Sequence, residues 1–388
     1  MLIKRVLLAI NVRWWNAEAA YALNLARGLK NQGIQVWLIV NLNSPVHQKA
    51  RERGLEVITD VALDSYNPVV QLKNLKRLFF HIDHKGIQLI NSFKSNGAFL
   101  FSIVRYFRLG IIYIKTRGVA SPPRNNIFNR YLYGSKCCDG IVTVGSPVRR
   151  WMEGLFGGNR LQNITTVHYG DTPVSQNTES NRESSRTRHN IPEEAFVLTL
   201  LGRTQQIKGH LILLEALKLI DDPVFHLLFL IKDKGEYPDE LNKIEQFIKS
   251  NNLNKQVTML GFQDDLGGIL STVDCGVIPS TASEVNCRVC VEFFSLGIPV
   301  VSFPTGTLPD IVEHKKNGYL CAEKTAMELV RAIKWIYGNR DEFIKMGEKA
   351  LKDYQEKYTL EAFTSNMLAF YETCSNRDSE VNRVKKPV

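Results

Sequence analysis

The chain has 388 residues, too long for one ordinary domain and a natural length for two. Hydrophobic residues make up 44% and charged residues 23%, a balance that excludes a collagen-like, low-complexity or largely disordered chain. The formal charge of +10 is unevenly placed: residues 1–170 hold 23 Lys+Arg against 8 Asp+Glu, or +15, and the remaining 26 against 31 leave residues 171–388 at −5. One strongly basic half and one mildly acidic half suggest two domains with different partners.

The longest apolar runs, such as Ala98–Val104, fall short of the roughly 18 residues that span a bilayer. The first ten residues carry two basic side chains and a short apolar run that Asn11 and Arg13 interrupt, so they read as a first strand rather than a signal segment. Seven cysteines form no even disulfide framework, and Cys287-x-x-Cys290 has no second pair at metal-ligand spacing. The thiols read as buried bystanders, no metal is expected, and the compartment reads as reducing, hence cytoplasmic.

Taken in chain order, Val6–Ile10 is a continuous apolar run, as in a central parallel strand buried on both faces. Asn16–Asn31 reads as a helix, and Ile34–Val40 as the next strand. The unit repeats: helix Asn67–Lys85 and strand Ile87–Ile90, strand Gly110–Ile114 and helix Asn129–Lys136, strand Gly140–Val144, helix Val148–Leu155 behind a Ser146-Pro147 start signal, and strand Ile164–Val167. A polar stretch follows from Asp171. The alternation restarts with strand Phe196–Leu201, helix His210–Ile220, strand Phe225–Ile231 and helix Pro238–Lys249. Strands Val257–Leu260 and Cys275–Ile278, helix Val289–Leu296, strand Pro299–Ser302 and two or three terminal helices complete it. Strand and helix alternating twice over predict two doubly wound α/β domains, whose ligands lie beyond the carboxyl ends of the strands.

Two strand-to-helix loops carry the chemistry. In Gly202-Arg203-Thr204-Gln205-Gln206-Ile207-Lys208-Gly209, two cations five residues apart can converge on one anion, and phosphate suits such a place. The plainer reading, a solvated turn with two surface cations, weighs equally on the loop alone. In Ser283-Glu284-Val285-Asn286-Cys287-Arg288-Val289-Cys290-Val291-Glu292, one carboxylate precedes a helix and the other lies within it. The helix start near Asn286–Arg288 offers amides and a positive dipole end. Phe303–Asp310 is a third loop, read as flexible enough to close on a ligand.

These motifs, followed by Gly297-Ile298-Pro299-Val300-Val301 and by Gly306-x-x-Pro309-Asp310-Ile311-Val312 with Asn317-Gly318, resemble in order and spacing the retaining family-4 (group 1) glycosyltransferases. The resemblance is strong over residues 196–322 and loose over the N-terminal half. It implies the GT-B fold: two facing Rossmann-like domains with a C-terminal crossover helix. The domains would be residues 1–170 on the acceptor side, a linker 171–194, a nucleotide-sugar-binding domain 195–357, a helix 358–374 returning to the first domain, and a disordered tail 375–388.

The resemblance also implies roles. Arg203 and Lys208 would bind the donor's diphosphate, and Glu284 the donor sugar's hydroxyls. Glu292 would hold the ribose, while Gly202, Asn286, Cys287, Arg288 and Val289 would border the phosphates and Phe262 the base. No metal and no cofactor are implied beyond a nucleotide-diphosphate sugar, read as a UDP-sugar, because cationic side chains and a helix end do a metal's electrostatic work. The acceptor would be a glycan or lipid-linked glycan of a bacterial surface polysaccharide or lipopolysaccharide. Trp14, Trp15, Lys94 and Arg117 are the acceptor-side candidates.

The chain departs from the family at three places, one of them Lys232-Asp233-Lys234-Gly235, where a glycine-rich turn is expected after Ile231. Val12-Arg13-Trp14-Trp15-Asn16 stands where many members have a Gly-Gly pair. The N-terminal stretches that would hold a histidine near the reaction centre hold Asn91, Lys94 and Arg117 instead. A weakly catalytic sugar-binding protein and a nucleotide-sugar epimerase of the same fold are therefore the competing readings. His168 reads as a strand-end residue. Arg105, Arg108, Lys115, Arg117, Arg124 and Arg130, interleaved with Tyr106, Phe107, Tyr113 and Phe128, read as a solvated face or as a peripheral contact with an anionic membrane. No nucleic-acid motif accompanies them.

Overall fold

The computed structural model describes residues 3–93, 97–108, 110–119, 121–134, 137–156, 163–175, 182–232 and 235–384, with side chains to Ser375. The chain divides into two compact units, residues Met1–Asp171 with Leu360–Val388, and residues Thr172–Thr359.

Unit 1 is built on strands β1 (Arg5–Ala9), β2 (Gln35–Ile39), β3 (Glu56–Ile58), β4 (Leu89–Ser92), β5 (Ile112–Arg117), β6 (Gly140–Thr143) and β7 (Ile164–Thr166). They form one sheet in the order β3-β2-β1-β4-β5-β6-β7, with every ladder parallel. Leu89–Ser92 is buried along its whole length, as an inner strand with helices on both faces must be. The helix starts are chemically marked. Asn16 accepts from Ala19 N ahead of helix Ala17–Asn31. Asn67 caps helix Pro68–Lys85, whose first-turn proline gives up no hydrogen bond. Helices Pro45–Glu52 and Ala98–Phe107 and strand β3 are short elements that the chain-order reading did not resolve. Ala98–Phe107 is apolar on nearly every side, so its period is faint.

The terminal helix Leu360–Val384 belongs to unit 1 and continues past Cys374, where the sequence reading ended it; residues 385–388 of the expected tail lie outside the described residues. Its apolar face lies on helix Ala17–Asn31, with the Tyr21 and Phe363 rings edge-on at 4.7 Å. A polar relay ties the terminal helix to the sheet. Thr116 Oγ1 donates to Asn91 Oδ1 at 2.9 Å, and Asn91 Nδ2 donates to Tyr371 Oη at 2.7 Å. Asn91 is fully buried and spends both ends of its amide here.

Unit 2 repeats the plan with β8 (Phe196–Gly202), β9 (Phe225–Ile231), β10 (Val257–Leu260), β11 (Cys275–Ile278), β12 (Val300–Ser302) and β13 (Gly318–Leu320), in the order β10-β9-β8-β11-β12-β13. All ladders are again parallel. β8 and β9 are buried end to end and carry the core with helices His210–Ile220 and Ala326–Gly338. Part of the expected linker is a helix, Arg182–Arg188, whose Arg186 donates to the carbonyls of Pro192, Ala195 and Thr272. A helix of seven residues is marginal by itself, and this tertiary anchoring holds it.

Removing the Tyr371 hydroxyl leaves the buried Asn91 amide without its acceptor, at a cost of about 1–3 kcal/mol. Tyr371→Phe is expected to lower the urea midpoint of the unit 1 transition, read by unit 1 tryptophan fluorescence. An unchanged midpoint would show that the relay does not hold the terminal helix.

Candidate functional site

Because every strand of unit 2 is parallel, the loops leaving their carboxyl ends gather at one edge of the sheet. Two of them interlock. The loop after β8 ends in Gly209, at φ +80°, and a Cβ there would stand 2.2 Å from the Pro279 carbonyl oxygen in the segment after β11. Only glycine permits both that backbone conformation and that approach. The contact is completed by Thr281 N donating to the Ile207 carbonyl at 2.8 Å.

The interlock brings Lys208 to Glu284. The two form an ion pair, and Ser280 Oγ donates to the same Glu284 oxygen, Oε1, at 2.7 Å. Glu284 is buried and Lys208 is largely shielded. Burying a carboxylate is costly unless it is paired and hydrogen-bonded, as Glu284 is here. The backbone around it is constrained. Ser283 and Cys287 sit at φ 64° and 46°, the left-handed region that non-glycine residues rarely occupy. Strain of this kind persists where the surroundings over-determine it, and it collects at functional sites. Thr307 N donates to the Glu284 carbonyl at 2.7 Å, and Gly306, at φ +59°, lies so close that a Cβ would stand 1.8 Å from that oxygen. Thr305 Oγ1 donates to the Ser280 carbonyl at 2.6 Å. The stretch Phe303–Asp310, expected as a loop that closes on a ligand, packs behind Glu284 through buried Phe303, Thr305, Thr307 and Leu308, with Gly306 and Pro309 exposed. Its glycine permits the close approach to the Glu284 carbonyl.

A second carboxylate stands on helix Arg288–Phe294. Glu292 accepts from Arg288 Nε at 3.1 Å, one turn back, and pairs with Lys232 Nζ at 3.2 Å. Lys232 is the residue after β9, and its amide donates to the Gly202 carbonyl at the end of β8 at 2.9 Å. Burial pushes the Lys232 ammonium below its ordinary value, and Glu292 pulls partly the other way. Neither Lys232 nor Ser280 was given a role from the sequence. The available signal for Lys232 was its place at a strand's carboxyl end.

The remaining candidates are distributed as follows. Arg203 does not reach the Lys208–Glu284 pair. It is 46% exposed, 3.9 Å from Glu236 and 3.5 Å from the Tyr237 hydroxyl. Gly202 ends β8, Asn286 and Cys287 are buried beside Glu284, Val289 is half-buried, and Phe262 is exposed. The Cys287 and Cys290 thiols are pushed up by burial, so they are poor ligands and nucleophiles. In unit 1, Trp14 is exposed, while Trp15 lies under Lys49 at 5.1 Å and Arg53 at 5.9 Å. Arg117 donates to Tyr133 Oη at 3.2 Å and to the Ser121 carbonyl at 2.6 Å. Lys94 lies outside the described residues. His168 Nδ1 is 3.2 Å from the Val144 carbonyl at the end of β6. The basic and aromatic cluster is not one surface: Lys115 and Tyr113 are interior, with Lys115 Nζ 3.8 Å above the Tyr133 ring. Arg105 and Arg108 are paired with Asp139 and Asp83.

The arrangement offers two clamped carboxylates and several cations at one strand edge. That suits a ligand with hydroxyls and a compact anion. Among the described residues no group of His, Cys, Asp and Glu could hold a metal ion, and no helix is long and apolar enough to cross a membrane.

Residues 181–353 match the family model described as glycosyl transferases, group 1. An uncharacterized glycosyltransferase of Haemophilus influenzae is 21% identical over 85% of this chain and 89% of its own length. A lipopolysaccharide 1,2-N-acetylglucosaminetransferase of Salmonella typhimurium is 26% identical over 46% of this chain and 49% of its own. The crystal structure of Anabaena HepE in complex with UDP superimposes with a TM-score of 0.80 at 17% identity, covering 96% of this chain and all of that one. The fold is thus the GT-B class of two Rossmann-like units.

If Glu292 supports the Lys232 charge, Glu292→Gln should move the ammonium pKa further down from the ordinary 10.5. The unfolded chain binds the extra proton between the lowered and the ordinary value, so stability rises with pH across that window, and the variant extends the window downward. Urea midpoints measured from pH 7 to 10 check this. Identical pH slopes in the variant and the parent would show that the pair is not coupled.

Proposed function

We propose that this chain, whose residues 181–353 match the model of the group 1 glycosyl transferases, is such an enzyme and transfers a sugar from a nucleotide-diphosphate donor to a glycan or lipid-linked acceptor with retention at the anomeric carbon. The observation that carries the reading is the Lys208–Glu284 pair, with Ser280 on the same carboxylate. A carboxylate and an ammonium held within hydrogen-bonding reach suit the two ends of such a donor, hydroxyls for Glu284 and diphosphate for Lys208.

In this mechanism the bond between the sugar's anomeric carbon and the phosphate oxygen breaks. The acceptor oxygen bonds to the same face of that carbon, and its proton goes to the departing phosphate. The diphosphate takes the negative charge that develops, and Lys208 meets it without a metal, joined by Arg203 once that side chain leaves Tyr237 and Glu236. Preorganised charge of this kind acts most strongly away from water. Glu292, oriented by Arg288 and Lys232, would accept from the ribose hydroxyls. A UDP donor is favoured by the likeness to HepE, whose structure holds UDP, and a surface-glycan acceptor by the Salmonella relative.

Unit 1 would take the acceptor. Tyr106, Phe107, Ile127, Phe128 and Tyr131 stand exposed, in the half of the chain that carries +15. Aromatic side chains beside arginines such as Arg124 and Arg130 favour an anionic bilayer surface. The reading includes a cytoplasmic location with peripheral membrane contact.

A donor screen by thermal shift, followed by turnover of the stabilising nucleotide sugar, tests the proposal. Lys208→Ala and Glu284→Gln should each lower kcat at least a hundredfold with the fold retained by circular dichroism. Glu292→Gln should mainly raise donor KM. Absence of both nucleotide binding and turnover across UDP-, GDP- and ADP-sugars would overturn the reading.

A further inference from the structure

We propose that unit 2 carries a second anion site, for a phosphate-bearing ligand, on the β9–β10 edge of its sheet and toward the amino ends of the strands. The site is a cavity of about 590 Å³ lined by Arg188, His189, His226, Asn254, Lys255 and Thr258 among others. Lys208 and Glu284 lie on loops at the carboxyl ends of the same sheet, so the two places are served by different loops.

Four observations converge. First, the register decides what this face exposes. β10 is the edge strand, and Val257 and Met259 pack into the core with the helices of the other face. Thr258 and Leu260 alternate with them and line the cavity with His226, the second residue of β9, while Val257, at the start of the strand, touches both the core and the cavity. Second, the charge is one-signed. Arg188 and Lys255 line the cavity, no carboxylate does, and neither cation has an ion-pair partner among the described residues. This stands out because residues 171–388 are net negative. A concave surface lined by one sign of charge focuses the field on an entering counter-ion.

Third, the floor is buried and polar. His226 Nε2 is 2.9 Å from Thr258 Oγ1. Burial, and next the nearby Arg186 guanidinium, push the His226 pKa down to about 4, so the ring is neutral near pH 7. Arg186 is itself held in place by Asp274 and by the Thr272 carbonyl at 2.9 Å. Fourth, the size suits a ligand larger than a lone ion, and the Asn190 and Asn254 amides supply neutral donors at the rim. Cations and neutral donors around one concavity are what a phosphate group with an organic remainder needs.

The ligand could be a phosphorylated small molecule or a phospholipid headgroup, which share this chemistry. Isothermal titration of the full chain with inorganic phosphate at low salt, with UDP present to fill the proposed donor loop, tests the site. The expected result is saturable binding that weakens at least tenfold in Arg188→Glu/Lys255→Glu and persists in Arg188→Lys/Lys255→Arg. Both variants should unfold at the parent temperature, since the two side chains are exposed. Sedimentation with phosphatidylglycerol vesicles separates the sources. A smaller bound fraction for the Glu variant than for the parent assigns the headgroup, and equal fractions assign a soluble phosphate. Neither phosphate binding nor a vesicle difference in the parent would overturn the proposal. So would phosphate binding that the Glu variant retains, or that is lost in Lys208→Ala instead; the last outcome would place the anion on the loop after β8.

Discussion

The structure depends on one constraint: all its strands run the same way. A parallel ladder cannot be closed by a hairpin, so each strand must be followed by a crossover segment that returns the chain to the start of the sheet. Both sheets obey this, with the order reversing between β1 and β4 in unit 1 and between β8 and β11 in unit 2. The consequence is geometric. Every loop leaving a carboxyl end emerges at the same edge, so residues as far apart in sequence as Lys208 and Glu284 become neighbours. The switch between β8 and β11 is where the loops leaving these two strands meet and interlock, and that is where Lys208 reaches Glu284.

Electrostatics then explains the shape of that edge. Burying a carboxylate without partners is costly, and each of the two here has its own solution. Glu284 is met by an ammonium from the next loop and a hydroxyl four residues back. Glu292 is met by an arginine one helical turn back and a lysine just after β9. In a half of the chain that is net negative, these few cations matter by position rather than number. The same logic, with the sign reversed, marks the β9–β10 edge: there cations line a cavity with no acid among them.

Much of the fold was legible in the residue pattern. Doubly buried strands such as β8 and β9 are continuous apolar runs, and Asn16 and Asn67 announce their helices by side-chain capping. Short elements escaped, among them β3, β13 and the helix Arg182–Arg188, because a few residues make no period and tertiary contacts supply their stability. At the candidate site, Lys208, Glu284 and Glu292 were legible from motif and spacing. Lys232 and Ser280 were not, since a lone lysine or serine has no local signature and acquires one only from the neighbour across the sheet.

The sequence alone determined the alternation of strand and helix, the two-domain plan, the basic and acidic halves, and which loops carry charge, because these follow from periodicity, capping and count. Tertiary structure alone decided which charges meet. It turned Arg203 toward Tyr237 rather than Lys208, made Asn91 an anchor for Tyr371, sank Lys115 beneath Tyr133, and brought Gly306 against the Glu284 carbonyl. The physical reason is that periodicity is a property of one segment. An ion pair, a buried amide and a close backbone approach are properties of two, and only the folded chain sets the distance between them.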